Sequence, residues 1–262
     1  MKVLIKLGGT LLDADESRVR LAREITEAAS NHRVVVVHGG GKQMTRFLAE
    51  RGVESKFVNG LRVTTPDVID AVVKVFAGSV NAQLVTSFRA AGALPVGLSG
   101  LSAGLVDAVQ LDPQLGQVGR PVASDGRLLD ILVSQGYLPV VACVAGDSKG
   151  AIFNVNGDQM AVACAGGFRA DKLIFITDVD GVRDASGMTR AQLTVSESLA
   201  LIRDGIATGG MQAKLESAIS ALKQGVGEVL IAPGSYPGIV QIALRGPGPT
   251  QLELQIGTRL VP

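Results

Sequence analysis

Several short stretches place charged or amide side chains beside glycine in a pattern suited to phosphate. Lys6-Leu7-Gly8-Gly9 sets an ammonium next to two glycines. Glycine lets backbone amides come close to an anion, so Gly8 and Gly9 are candidate donors to a phosphate. A solvated lysine in an ordinary turn fits the same residues. His38-Gly39-Gly40-Gly41-Lys42 is a second glycine turn. Successive glycines cost backbone entropy, which favours an anion cradle over a plain tight turn. The turn is not a Walker P-loop, because Val36 and Gln43 stand where that pattern needs a glycine and a hydroxyl. No glycine falls at the spacing of the dinucleotide fingerprint, which disfavours a Rossmann-type oxidoreductase.

Arg62, in the run from Asn59 to Thr65, could fork onto a carboxylate or simply be exposed. Asp158, in Asn154-Val155-Asn156-Gly157-Asp158-Gln159, could cap a helix or orient lysines in a phosphate site. Lys214 follows Gly209-Gly210 in the first turn of an expected helix. The helix dipole disfavours a cation there unless an anion is bound alongside. His32 and His38 are the only histidines, are not spaced as a metal pair, and suggest no Ser-His-Asp triad. Cys143 and Cys164 lack zinc spacing and sit in apolar sequence, so they read as buried, reduced thiols.

These residues need strands and helices to aim them. Apolar runs predict strands at 3–7, 34–37, 94–98, 137–142, 172–177, 228–232 and 251–256. Four successive valines at 34–37 give the plainest of these signals. Apolar positions at helical spacing predict helices at 17–30, 42–51, 125–135, 158–165, 195–204 and 211–224. Thr65-Pro66 looks like an N-cap and first turn opening a long apolar helical stretch to residue 91. That stretch reads equally as core or as a subunit interface. Residues 105–122 look irregular and hairpin-like, and 143–155 reads as a hairpin. Strands alternating with helices predict an α/β fold: a three-layer αβα sandwich on an open, mainly parallel sheet. In such sheets ligands bind beyond the carboxyl ends of the strands, where the glycine turns fall. The division between lobes is expected near 165–172.

The chain has 262 residues, 47% hydrophobic and 19% charged, which excludes disorder and supports a substantial core. Aromatics are 3% and tryptophan is absent, so Val, Leu, Ile and Ala must fill that core. A net charge of +1 without basic clusters gives no nucleic-acid surface. No signal peptide is visible and no apolar run approaches membrane-spanning length, so a cytoplasmic protein is expected.

The motifs KLGG at Lys6, VHGGGK at Val37, NGLRVTT at Asn59, NVNGDQ at Asn154, TDVDGV at Thr177 and GGMQAK at Gly209 resemble the amino acid kinase family, in its order and over nearly the whole chain. The closest resemblance is to members acting on N-acetyl-L-glutamate. It implies ATP-dependent phosphorylation of that substrate's side-chain carboxylate, with Mg²⁺ carried on the nucleotide phosphates and no metal site in the protein. Lys6 and Lys214 resemble the lysines that stabilise the transferring phosphoryl group, and Asp158 the carboxylate that holds them. Gly8, Gly9 and the Gly39–Gly41 turn resemble phosphate donors; Gly40, Gly41, Arg62 and Asn154 resemble the grip on the acyl amino acid. Asp178, Val179, Asp180, Gly181, Val182, Arg183, Ile206, Ala207 and Thr208 resemble the nucleotide side. Residues 1–168 would form an acyl-amino-acid-binding and dimerising lobe, and 169–262 a nucleotide lobe, on one continuous sheet. The chain opens directly on its first strand, which implies the short, arginine-insensitive homodimeric type, with 66–91 as candidate interface.

Two departures stand out. Leu101-Ser102-Ala103-Gly104 replaces a charged residue and Asp-Gly, which bears on substrate preference, and Ala213 replaces the usual proline before the second lysine. Competing expectations are a kinase for another acyl amino acid, such as N-acetyl-aminoadipate, or a non-catalytic sensor on the same fold. Retention of Lys6, Asp158 and Lys214 argues against a sensor.

Overall fold

The apolar runs form the strands they predict, and the order of those strands brings distant motifs together. The computed structural model describes residues 1–245 and 256–262. Its strands are β1 (Lys2–Leu7), β2 (Arg33–His38), β3 (Phe57–Val58), β4 (Leu61–Arg62), β5 (Pro95–Ser99), β6 (Val106–Gln110) and β7 (Val118–Ser124), then β8 (Leu138–Ala142), β9 (Val144–Gly146), β10 (Ile152–Val155), β11 (Lys172–Thr177), β12 (Gln192–Thr194), β13 (Glu228–Pro233) and β14 (Thr258–Val261). Its helices are α1 (Gly9–Asp13), α2 (Asp15–Ala29), α3 (Gly41–Ala49), α4 (Pro66–Val72), α5 (Asn81–Ala90) and α6 (Arg127–Ser134), then α7 (Gly157–Phe168), α8 (Val195–Arg203), α9 (Gly209–Lys223) and α10 (Ile239–Leu244). The strand expected at 251–256 falls, except for Ile256, outside the described residues.

The main sheet runs β12-β14-β13-β11-β1-β2-β8-β5. From β13 to β5 every neighbouring pair is parallel, while β14 runs antiparallel to β13 and parallel to β12. A parallel sheet covered on both faces has fully apolar strands. Val34 to Val37 are each 2% exposed or less, and every residue of β11 is buried. Helices α1, α2, α3, α5 and α10 pack together in one layer; α6, α7, α8 and α9 form the other. The αβα sandwich expected from the alternation is the fold. A second sheet of β6, β7, β9 and β10 closes on itself and supplies both hairpins expected over 105–122 and 143–155.

From Pro66 to Ala90 the chain is one continuous helical rod, with a π-helical segment, Val73–Val80, between α4 and α5. Thr65 caps it, its hydroxyl accepting from the Val68 N–H, with Pro66 in the first turn. Contrary to the sequence expectation, this rod is long and apolar enough to cross a membrane, with mean hydropathy 1.5. Half of that window is buried, because Val72, Val75, Phe76, Leu84 and Phe88 face the core. The apolar side chains are thus spent inside the fold; Asp67, Asp70, Lys74, Ala77, Gly78 and Ser79 lie on the outer face. As a candidate interface, 66–91 offers this polar, small-residue face.

Candidate active site

Lys6 stands next to the end of β1 among apolar neighbours, and its side chain crosses to the first turn of α7. There Gly157 leaves it room: a Cβ would lie 3.1 Å from Lys6 Cε. The Lys6 ammonium stands 2.8 Å from Asp158 Oδ1, and the Lys214 ammonium 2.9 Å from Asp158 Oδ2. One carboxylate therefore holds two cations, one on each oxygen, brought from β1 and α9. Burial raises the Asp158 carboxyl, and the two lysines beside it outweigh that, leaving it at about 2.

The cap reading of Asp158 gives way to Asn156, whose side chain accepts from the Asp158 and Gln159 N–H groups. Because Asn156 satisfies these helix-end donors, the Asp158 carboxylate is free for the lysines. Helix α9 begins at Gly209, earlier than expected, which moves Lys214 from the first turn into the second.

The two glycine turns meet each other. A Cβ on Gly9 would lie 3.2 Å from the Gly41 nitrogen, so β1 and β2 deliver their loops into contact. The Gly8 N–H donates to the Ile176 carbonyl at 2.9 Å, which commits that amide to the fold. Gly41 has open space where a side chain would be. Gln43, only 8% exposed, donates to the Gly9 carbonyl at 3.4 Å and bridges the two turns. Sequence reading noted Gln43 only as a departure from a P-loop; its carboxamide at a buried position was the available signal.

Arg62 is 7% exposed and donates to the Gly41 carbonyl at 3.1 Å, to Thr45 Oγ1 at 2.7 Å and to Ser55 Oγ. Its guanidinium lies 4.6 Å from the Phe57 ring centroid. Among the described residues it has no carboxylate partner, and burial lowers its pKa. A desolvated guanidinium with only neutral partners is suited to receive an anion. Asn154 donates to Thr64 Oγ1 at 3.1 Å, and Thr64, fully buried, donates to the Arg62 carbonyl at 2.9 Å. The turn between β6 and β7 straps this pair: Thr64 N–H donates to Leu115 O and Gln117 N–H to Thr64 O. A cavity of about 630 Å³ opens beside Gly9, Gly41 and Arg62.

Asp178 to Arg183 form the loop after β11, with Asp178, Val179, Asp180 and Arg183 exposed and Gly181 and Val182 buried. Val182 N–H donates to Thr258 Oγ1 at 2.7 Å, anchoring the loop to β14. Ile206 and Thr208 are exposed and Ala207 buried ahead of α9. The structure thus joins Lys6, Asp158 and Lys214 directly and links Gly41, Arg62 and Asn154 through Arg62 and Thr64, while Gly40, next to Gly41 in the chain, packs against Phe76 and Val80. The 178–183 loop follows β11, and residues 206–208 lead into α9, the helix that carries Lys214. Cys143 and Cys164 are buried free thiols, and burial pushes Cys143 up to about 12.

Residues 1–233 match the amino acid kinase family. An acetylglutamate kinase of Solibacter usitatus is 60% identical over all of this chain and 99% of its own length. An acetylglutamate kinase of Paracoccus denitrificans is 40% identical over 92% of this chain and 80% of its own. A Neisseria gonorrhoeae N-acetylglutamate synthase, solved with coenzyme A and N-acetyl-glutamate, superposes with a TM-score of 0.84 at 23% identity. It covers all of this chain and 59% of that one, a likeness of fold alone.

Proposed function

This chain belongs to the amino acid kinase family, and from that premise we infer that it phosphorylates the side-chain carboxylate of N-acetyl-L-glutamate with ATP, a step of arginine biosynthesis. The observation that carries the reading is the Lys6–Asp158–Lys214 cluster. Two ammonium groups held by one carboxylate suit a reaction that drives anions together.

The acceptor carboxylate is itself the nucleophile, so no general base is required, and none of the buried groups is placed as one. The obstacle is repulsion: two unit charges 4 Å apart cost about 4 kcal/mol at an effective dielectric of 20. In this proposal Lys6 and Lys214 offset that repulsion and the charge on the equatorial oxygens in flight, and Asp158 fixes their positions. Gly9 and the Gly39–Gly41 turn donate amides to the phosphates, and Gly8 permits the close approach of the first turn. Arg62 receives a substrate carboxylate, Gly40 and Gly41 line its path, and Asn154 completes the grip. The 178–183 loop, exposed at Asp178, Val179, Asp180 and Arg183, and Ile206–Thr208 take the nucleotide.

Mg²⁺ is assigned to the ATP phosphates, where it would neutralise charge. Both Asp158 oxygens are committed to lysines, and no group of three His, Cys, Asp or Glu able to hold a metal occurs among the described residues. We assign residues 1–168 to the acyl amino acid and 169–262 to the nucleotide, across the shared sheet. A cytoplasmic homodimer is part of the proposal. Its support is exposed apolar surface: Leu94 and Tyr137, where β5 and β8 begin, and Ile131 on α6 are 60%, 43% and 61% exposed.

The test is ADP release with MgATP and N-acetyl-L-glutamate, comparing wild type with Lys214→Ala, with an arginine series alongside. Wild-type turnover and a loss of about 100-fold or more in Lys214→Ala are expected. Full activity in Lys214→Ala would remove that residue from the chemistry. No wild-type turnover, with ATP still bound, would move the substrate to another acyl amino acid or the chain to a sensor.

A further inference from the structure

The fold buries a polar pair that the phosphoryl-transfer reading leaves unused. His38, the last residue of β2, is 0% exposed, and Asn81, the first residue of α5, is 5% exposed. Buried polar groups persist where hydrogen bonds satisfy them. Asn81 Nδ2 lies 2.9 Å from His38 Nε2 and 2.9 Å from the Val140 carbonyl. On the other side of the ring, His38 Nδ1 lies 2.8 Å from the Gly39 carbonyl.

Two carbonyls settle every proton in this chain of contacts. A carbonyl only accepts, so the group facing Val140 is the Asn81 NH₂, and the ring nitrogen facing Gly39 carries hydrogen. The second Asn81 hydrogen then points at a lone pair on Nε2. Only the neutral Nδ1–H tautomer satisfies all three bonds. Burial agrees with this, pushing the imidazole down to about 4, with the Gly39 bond pulling the other way.

The Gly39–Gly40 peptide is planar and trans, so holding the Gly39 carbonyl against His38 turns the Gly40 N–H away from the ring. The π-helical segment closes on the same turn. A Cβ on Gly40 would lie 2.9 Å from Phe76 Cδ1 and 3.3 Å from Val80 Cγ2. Across the sheet edge, Gly97 makes room for Asn81: a Cβ there would lie 2.2 Å from Asn81 Oδ1. Asn81 directly follows the π-helical residues, whose wider turn sets where its side chain falls.

We propose that Asn81 and His38 are positioning residues for phosphoryl transfer, a relay from the π-helical segment that sets the Gly39–Gly40 peptide plane and aims the Gly40 N–H. The inference rests on reading Gly40 as a substrate contact. The relay touches neither substrate nor nucleotide; it acts through the peptide.

The experiment measures kcat and both KM values for wild type, His38→Leu, His38→Asn, His38→Gln and Asn81→Leu, with a side-chain ¹⁵N spectrum of His38. The Asn amide sits near the Nδ1 position and can still donate to Gly39; the Gln amide sits near Nε2 and cannot. His38→Leu and Asn81→Leu are expected to lose about 100-fold in kcat. The KM for ATP should move less than about 3-fold. His38→Asn should recover to within about 10-fold of wild type, and His38→Gln should not. The wild-type ¹⁵N spectrum should show the Nδ1–H tautomer. The proposal is overturned by His38→Asn no better than His38→Gln, by folded Asn81→Leu with wild-type kcat, or by an Nε2–H tautomer. If His38→Leu does not fold, the Asn and Gln variants decide, since both keep a polar group. Absent wild-type turnover would count against the substrate; the tautomer would still decide the relay.

Discussion

Asp158 pairs with two ammonium groups, so its protonation bears on the fold and, in the proposed reaction, on the chemistry. Its folded carboxyl, at about 2, stands below an unfolded value of about 3.9. The stability it contributes is therefore complete above pH ~4 and lost as pH falls through about 2, on the order of 2 kcal/mol in all. An asparagine resembles the protonated acid. Urea midpoints of wild type and Asp158→Asn should thus differ at pH 7 and converge as the pH approaches the folded value. A gap that stays constant with pH would show that the carboxylate does not hold the lysines as charges. Activity of Asp158→Asn at pH 7 should fall by about 100-fold, because two lysines then repel across the site. The pairing of both lysines with this carboxylate was implied by the family resemblance, while the residues alone left Asp158 open between a cap and a phosphate site. What sequence could not supply was the competition for the helix cap: Asn156 and Asp158 are both good caps, and only the geometry of the turn shows which one took the place.

Elements place these residues, and here the period of the apolar pattern carried most of the reading. β11 has its predicted bounds because every one of its side chains is buried, which leaves no ambiguity of face. β2 and α9 were found with ends moved by a residue or two, as expected where capping rather than periodicity sets the boundary. Short elements escaped: α1, β12 and the β3–β4 hairpin each span too few residues to show a period. The π-helical register was invisible too, since one extra residue per turn leaves an apolar run apolar. The turn between β6 and β7 shows how an element acts on the site without entering it. Gly116 has φ +67°, and a Cβ there would lie 2.3 Å from the Thr64 carbonyl oxygen. Gly116→Ala should therefore cost at least about 2 kcal/mol in urea unfolding, from left-handed strain plus the clash. It should also raise the KM for N-acetyl-L-glutamate more than that for ATP, because Thr64 links Arg62 to Asn154. Equal effects on both KM values would mean that the strap serves the fold alone.

At the scale of the molecule, the sheet leaves β5 as a free edge, with Leu94 and Tyr137 side by side where β5 and β8 begin. Exposed edges invite pairing with another chain. Ile131→Lys, at a position 61% exposed, should leave the monomer fold intact while weakening self-association. Sedimentation velocity checks this: a dimer in the wild type and a shift towards monomer in the variant are expected. A hexamer, or a dimer indifferent to charge at residue 131, would place the interface elsewhere. The interface expectation for 66–91 came from hydrophobicity, which cannot distinguish burial against the chain's own sheet from burial against a neighbour.

The first strand to be made is also the most central. β1 lies between β2 and β11, pairing Val3 with Val34 on one side and with Lys172 on the other. During synthesis the β2 edge can form early, but the β11 edge stays open until residues 172–177 have left the ribosome. At roughly 5–20 residues per second, that is an interval of some seconds with an apolar edge unpaired. Lys214 comes later still, so the Lys6–Asp158–Lys214 cluster can form only after β11 has closed on β1 and α9 has been made. Ribosome pausing between 38 and 172 should therefore raise aggregation rather than yield a partly active fragment, a burden that falls on chaperones before any substrate is met.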